Sequence, residues 1–100
     1  MLFSELFSEA NVTPAKIVGE AEIGVLCADS RAIKLGEVFV CMPWNNTDSH
    51  SFISSAVDHG ASSVIVHSSE ALETWIGKIA VALVEESVFD DSIWRLAKVA

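Results

Sequence analysis

The sequence is poor in the residues from which metal sites and nucleic-acid surfaces are built. Its 100 residues include two cysteines, two prolines and six lysines or arginines against fourteen aspartates and glutamates, which gives a formal net charge of −8. Because the neutralisation of phosphates takes clusters of basic side chains, nucleic acid is not expected as a partner. Two dispersed cysteines and three dispersed histidines do not make a ligand set, so no metal site is expected either.

Long apolar runs and a basic leader are also missing. No apolar stretch approaches the about 18 residues that a membrane span needs, and Met1–Glu5 carries an acid where a signal peptide has a basic start. The sequence therefore predicts a cytoplasmic protein that is not bound to a membrane. In that compartment Cys27 and Cys41, both inside apolar runs, are predicted to be buried, reduced thiols, with a disulfide between neighbouring strands as the alternative.

A phosphate-binding loop of the form Gly-x-x-x-x-Gly-Lys-Ser/Thr is absent as well. Without it, these residues have no means of holding the phosphates of ATP in the P-loop manner. We therefore expect neither catalytic residues nor a cofactor in this chain.

What is present is an alternation of apolar segments with turn and capping residues. Half of the chain is hydrophobic (51%), which suits a single domain, residues 1–100, with a substantial core. From residue 36 onward strand and helix patterns alternate with short connections, which predicts an α/β sandwich with a largely parallel or mixed sheet flanked by helices. Strands are predicted over 23–28, 38–42, 62–66 and 79–84. Helices are predicted over 2–10, from a start within 48–51 to Gly60, from Ser68 or Ser69 to Gly77, and from Ser87 or Asp90 to the end. Residues 16–22 are predicted to be a connector without a motif.

Several side chains have only a structural role in this interpretation. Asp48, Ser49 or Ser51 can cap the second predicted helix. Trp94 lies at core spacing on the last helix, so it is predicted to pack inside. His67 is predicted to be a surface residue at the end of a strand.

The polar residues are concentrated in residues 28–53, where two polar loops flank one apolar strand. The segments with a recognisable order are Asp29-Ser30-Arg31, then Gly36-Glu37-Val38-Phe39-Val40, then Asp48 and Phe52-Ile53. In this order and spacing the chain resembles the first domain of the Mur ligases, most closely the MurE type. The likeness covers most of residues 23–100, and it implies the fold of a Mur ligase N-terminal domain.

This resemblance implies a domain that holds the UDP end of UDP-N-acetylmuramoyl-peptide. Taken alone, the first loop is typical of a turn and the second of a solvated loop, so the assignment of binding residues depends on the whole pattern. The family's contacts correspond to Ala28 and Ser30 in the first loop and to Asn45, Asn46 and Thr47 in the second, with Arg31 and His50 as further candidates.

Two departures from the family pattern bear on that site. Trp44 and Ser49 stand where the family usually has glycine, and a tryptophan there either stacks on the uracil or fills the pocket. Asp29 and Arg31 are interpreted as a structural pair that fixes the first loop, because a carboxylate beside a diphosphate repels it.

The resemblance also implies a larger enzyme. In the Mur ligases a central ATPase domain and a C-terminal domain follow, and ATP with Mg²⁺ activates the carboxylate of UDP-N-acetylmuramoyl-dipeptide for attack by an amino acid. On this interpretation the chain is the non-catalytic, UDP-recognising N-terminal domain of a MurE-like ligase of peptidoglycan synthesis, and its partners are the downstream domains. Two alternatives stay open: a docking domain whose UDP pocket Trp44 has closed, and the N-terminal domain of a MurF-type ligase.

Overall fold

One mixed sheet is formed by five short strands: β1 (Lys16–Val18), β2 (Leu26–Cys27), β3 (Val38–Val40), β4 (Ser63–Val66) and β5 (Ala80–Leu83). The computed structural model describes residues 1–43 and 49–100. Neighbours in the sheet follow the order β1-β5-β4-β3-β2. Strands β2 to β5 are parallel to their neighbours, and β1 is antiparallel to β5. The predicted α/β class with a mixed sheet is confirmed.

Over the residues described, the helices that cover the sheet are α1 (Phe3–Ala10), α2 (Ile53–Asp58), α3 (Ser69–Trp75) and α4 (Phe89–Val99). Several predicted helix ends are confirmed. Asn11 ends α1 in the left-handed conformation, with a φ of 57°, and Ser68 Oγ accepts a hydrogen bond from the Ala71 N–H at 3.2 Å at the start of α3. Within the described residues, no helix is long and apolar enough to cross a membrane.

The core has two halves, one on each face of the sheet. Helices α1 and α4 pack on the first face through residues such as Phe3 and Phe89. Helices α2 and α3 pack on the second face through Ile53 and Leu72. Strand β4 is buried along its whole length because helices cover both of its faces, which explains its continuous β-branched run.

The connector predicted over 16–22 is wrong in its first part, where the chain forms β1. Ile17 pairs with Ala82 in an antiparallel register. The strand has only three residues, and none of them is fully buried, so its sequence carries little periodicity. By pairing with β5 it covers a strand that would otherwise be an open edge of the sheet.

Two predictions about side chains on helices are also wrong. Trp94 is 65% exposed, and its ring lies 5.3 Å from Lys98 Nζ instead of in the core. The N-cap position of α2 is held by Phe52, after a 3₁₀ turn over Ser49–Phe52, rather than by Ser49 or Ser51. The predicted capping residue Asp48 lies outside the described residues.

The cysteines match their prediction only in part. Both are reduced thiols that form no disulfide bond, as expected. Cys41 is fully buried, whereas Cys27 is half-buried, with its Sγ 3.4 Å from the carbonyl oxygen of Asp29. Burial is therefore confirmed for Cys41 and not for Cys27, which stands next to the first polar loop.

Candidate functional site

The loop that follows β2 forms one wall of a cavity of about 630 Å³, which we call the Ser30 cavity. The chain turns there because the Asp29 carbonyl accepts a hydrogen bond from the Ala32 N–H at 3.0 Å. The residues that line the cavity are Ala28, Asp29, Ser30, Arg31, Phe39, Phe52 and Ser55. Three predicted binding residues, Ala28, Ser30 and Arg31, are therefore brought together in one place.

The turn is held by the pair of residues on either side of Ser30. Asp29 Oδ1 accepts hydrogen bonds from the Arg31 N–H at 2.9 Å and from Arg31 Nε at 3.3 Å. The first of these bonds, followed by the second, lowers the pKa of Asp29 below its ordinary value of 3.8. The predicted structural pair is present, and it partly neutralises the carboxylate at the rim of the cavity.

Ser30 is buried, with 7% of its surface exposed, although it lies in a surface loop. Among the described residues, no hydrogen bond uses its hydroxyl group. A hydroxyl that lines a cavity without a partner in the fold is available to a ligand as both donor and acceptor. The Arg31 side chain, 86% exposed, adds the positive charge at the rim.

Three lining residues were not identified from the sequence: Phe39, Phe52 and Ser55. Phe39 is almost fully buried in β3, whereas Phe52 has 44% of its surface exposed. The spacing of Phe52 and Ser55, three residues apart in a helical segment, places both on one side of it and is the signal that points to them. The cavity therefore combines aromatic walls with hydroxyl donors and one guanidinium, which suits a planar ring that carries an anionic group.

His50, a further candidate, lies in a different cavity of about 500 Å³, which we call the His67 cavity. The His50 and His67 ring centroids are 4.2 Å apart, and His50 Nε2 accepts a hydrogen bond from the His67 N–H at 3.3 Å. His67 Nδ1 lies 3.0 Å from Glu86 Oε1, and the His67 side chain is only 12% exposed. The prediction that His67 is a surface residue is therefore wrong. The structure does not place His50 beside Ser30.

The remaining predicted binding residues belong to the second polar loop. Its predicted binding residues Asn45, Asn46 and Thr47, together with Trp44, lie outside the described residues. Among the residues that the structure does describe, no group of three or more His, Cys, Asp or Glu is arranged to hold a metal ion.

Comparison with known proteins gives several relatives of one kind, while no protein-family model matches the chain. It is 29% identical over 89 residues to the chloroplastic MurE homolog of Arabidopsis thaliana, which is named as a UDP-N-acetylmuramoyl-L-alanyl-D-glutamate--2,6-diaminopimelate ligase. It is 32% identical over 88 residues to the ligase of the same name from Phocaeicola vulgatus, and 34% identical over 65 residues to that of Listeria monocytogenes. These matches cover 87%, 86% and 65% of the chain, which spans only 11%, 17% and 13% of the relatives' own lengths.

Proposed function

This chain is related to the MurE-type ligases of the Mur ligase family, and from that relationship we propose that it recognises the UDP end of UDP-N-acetylmuramoyl-peptide. MurE-type ligases add an amino acid residue in peptidoglycan synthesis. These relatives, all MurE-type, favour the MurE branch over the MurF branch that the sequence alone left open. The proposed whole protein is an ATP-dependent ligase of the cytoplasm.

The catalytic part of that proposal lies outside these residues. The sequence has no P-loop, so the residues present do not fit ATP and Mg²⁺. We propose that central ATPase and C-terminal domains of a longer polypeptide hold both, in keeping with the small share of each relative that the chain spans. The 100 residues alone should then show no ATP turnover above that of a heat-killed control, and turnover would contradict this division of roles.

The observation that carries the proposal is the Ser30 cavity. Its aromatic side, which includes the exposed Phe52, offers a surface on which the uracil can stack. The Ser30 hydroxyl, which has no partner among the described residues, would bond the nucleotide, and the Arg31 guanidinium would lie near the diphosphate. An acidic protein of net charge −8 needs such local donors, because its overall field repels a diphosphate.

The test is a titration of the protein with UDP, followed by amide chemical shifts. We expect weak binding with shifts at Ala28 and Ser30, and the second loop residues Asn45 to Thr47 are predicted to shift with them. Ser30→Ala should weaken binding by roughly 0.5–3 kcal/mol, the range from neutral to charge-assisted hydrogen bonds. The matched control is Ser54→Ala, because Ser54 is an exposed serine of α2 that does not line the cavity.

Two results would contradict the proposal. One is the absence of any shift at millimolar UDP, and the other is a set of shifts that avoids the Ser30 cavity. Either would favour the docking-domain alternative, in which Trp44 has closed the pocket. Trp44 fluorescence during the titration distinguishes an open site from a closed pocket, since a uracil stacked on Trp44 changes its emission and a pocket that Trp44 has closed leaves it unchanged.

A further inference from the structure

The His67 cavity opens where the chain diverges at the carboxyl ends of two parallel strands. After β4 the chain enters α3, which packs on the second face of the sheet through Leu72. After β5 it enters α4, which packs on the first face through Phe89. In open α/β sheets, ligands bind in the crevice that such a divergence creates.

The charged groups that line this crevice are acidic. Glu86 begins the 3₁₀ turn Glu86–Val88 that follows β5, with its Oε1 3.0 Å from His67 Nδ1, and Glu70 lies in the first turn of α3. None of the described lining residues is a lysine or an arginine. Together with the net charge of −8, two carboxylates with no lining lysine or arginine, one of them beside His67, favour a positively charged ligand and disfavour an anion.

The hydroxyl groups of the lining are already engaged in the fold. Ser68 Oγ accepts the capping hydrogen bond from Ala71, and Thr74 Oγ1 donates to the Glu70 carbonyl at 2.9 Å. The Glu70 carboxylate and the second oxygen of Glu86, whose Oε1 faces His67 Nδ1, therefore remain as the principal acceptors for a ligand. An ammonium group, with three donors and no acceptor, matches such a lining.

An aromatic ring completes the crevice. Trp75 lines it and is half-buried, and Lys78 Nζ lies 5.6 Å from the centroid of the Trp75 ring. The indole is thus already within the distance at which an aromatic face attracts a cation. A ligand ammonium would gain from the same ring, and the Lys78 charge would oppose it.

From these features we propose that the His67 cavity binds a small organic cation that carries a primary ammonium group. Its volume of about 500 Å³ lies within the range of small-molecule pockets, roughly 300–1,000 Å³. A metal ion is the less suitable occupant, because no group of described residues has a metal-binding arrangement. The proposal does not depend on UDP binding, since the two cavities share no lining residue among those described.

The experiment compares 1,4-diaminobutane with its uncharged analogue 1,4-butanediol at neutral pH, followed by amide and indole N–H shifts. We expect the diamine to shift Trp75 and Ser68, and the diol to leave both unchanged. Glu86→Gln and Glu70→Gln should each weaken binding of the diamine by about three- to tenfold, as expected for a partly screened charge. Lys78→Met should strengthen binding, because it removes the opposing charge.

Glu73→Gln is the matched control, since Glu73 lies on α3 but does not line the cavity. It makes the same change of charge and should leave binding of the diamine as it is. The unfolding midpoint of each variant shows whether the fold is kept.

Four results would overturn the proposal. These are equal shifts with the diol, equal weakening by Glu73→Gln, binding of Zn²⁺ or inorganic phosphate in place of the diamine, and UDP-induced shifts at Trp75. The last would mean that the two cavities form one site.

Discussion

Arg31 holds the carboxylate of Asp29 at two points, with its backbone N–H 2.9 Å and its Nε 3.3 Å from the same oxygen, Oδ1. The residue between them, Ser30, is thereby fixed with its side chain against the cavity. The loop geometry depends on an exposed carboxylate, and it therefore depends on pH.

The first prediction concerns that dependence. The pKa of Asp29 is lowered in the folded protein, first by the backbone hydrogen bond from Arg31. The stability that the ionised Asp29 carboxylate contributes is therefore fully present above the ordinary pKa of 3.8, and it is lost as the pH falls through the lower pKa of the folded state. We expect the Arg31 amide shift to titrate with a midpoint below 3.8. Asp29→Asn should abolish the transition, and a midpoint at or above 3.8 would contradict the hydrogen-bonded turn.

The second prediction concerns Phe52, which has 44% of its surface exposed on the wall of the Ser30 cavity. If uracil stacks there, Phe52→Ala should weaken binding of UDP by about 1–3 kcal/mol, the usual contribution of one base stacked on one aromatic ring. Isothermal titration calorimetry gives the comparison. Val88→Ala, a truncation of another exposed apolar residue outside this cavity, should leave the affinity unchanged, and an equal loss in both variants would argue against stacking.

The third prediction separates the two thiols. Cys27 is half-buried beside the Ser30 loop and Cys41 is fully buried, so Cys27 should react first with a thiol reagent and Cys41 only after denaturation. From the sequence, both thiols were predicted to be buried, which would make both slow to react. Labelling of Cys27→Ser in the native state is the control, because rapid labelling of that variant would place Cys41 at the surface.

The fourth prediction compares two glycines with positive φ, Gly60 at 109° and Gly77 at 82°. A Cβ on Gly60 would lie 3.0 Å from Leu35 Cα, whereas a Cβ on Gly77 meets nothing within 4 Å. Gly77→Ala should lower the free energy of unfolding by about 1–2 kcal/mol, through backbone strain alone. Gly60→Ala should cost about 1–3 kcal/mol more, because backbone must also move. Urea denaturation measures both, and equal losses would show that Leu35 yields freely.

Local signals were sufficient for much of the fold. The end of α1 after residue 10 and a cap of α3 at Ser68 or Ser69 were both predicted, because each signal acts on its own turn of chain. Strand β1 was missed because its pairing partner β5 lies far along the sequence and its three residues carry no clear alternation. A strand that depends on a partner far along the sequence cannot be predicted from its own residues.

The candidate site shows the same division between local and distant causes. The family pattern predicted Ala28 and Ser30, with Arg31 as a further candidate, as binding residues; that role stays a prediction, and all three line one cavity. His67 was misjudged because its environment comes from His50 and Glu86, which are neighbours only in three dimensions. Trp94 was predicted to lie in the core from its helical spacing, but it is exposed. Periodicity gives the direction of the apolar face of a helix and does not give its width.

The contact between the first and last helices has a consequence for synthesis on the ribosome. Phe3 and Leu6 of α1 belong to the same half of the core as Phe89 and Leu96 of α4, so α1 emerges without its helical partner and waits until α4 has followed. Contacts between residues so far apart in the sequence form late, because the chain loses the entropy of loop closure before it gains the stabilisation of packing. Helix α1 would thus expose its two phenylalanines until α4 has been synthesised, which makes it the natural place for a chaperone to bind.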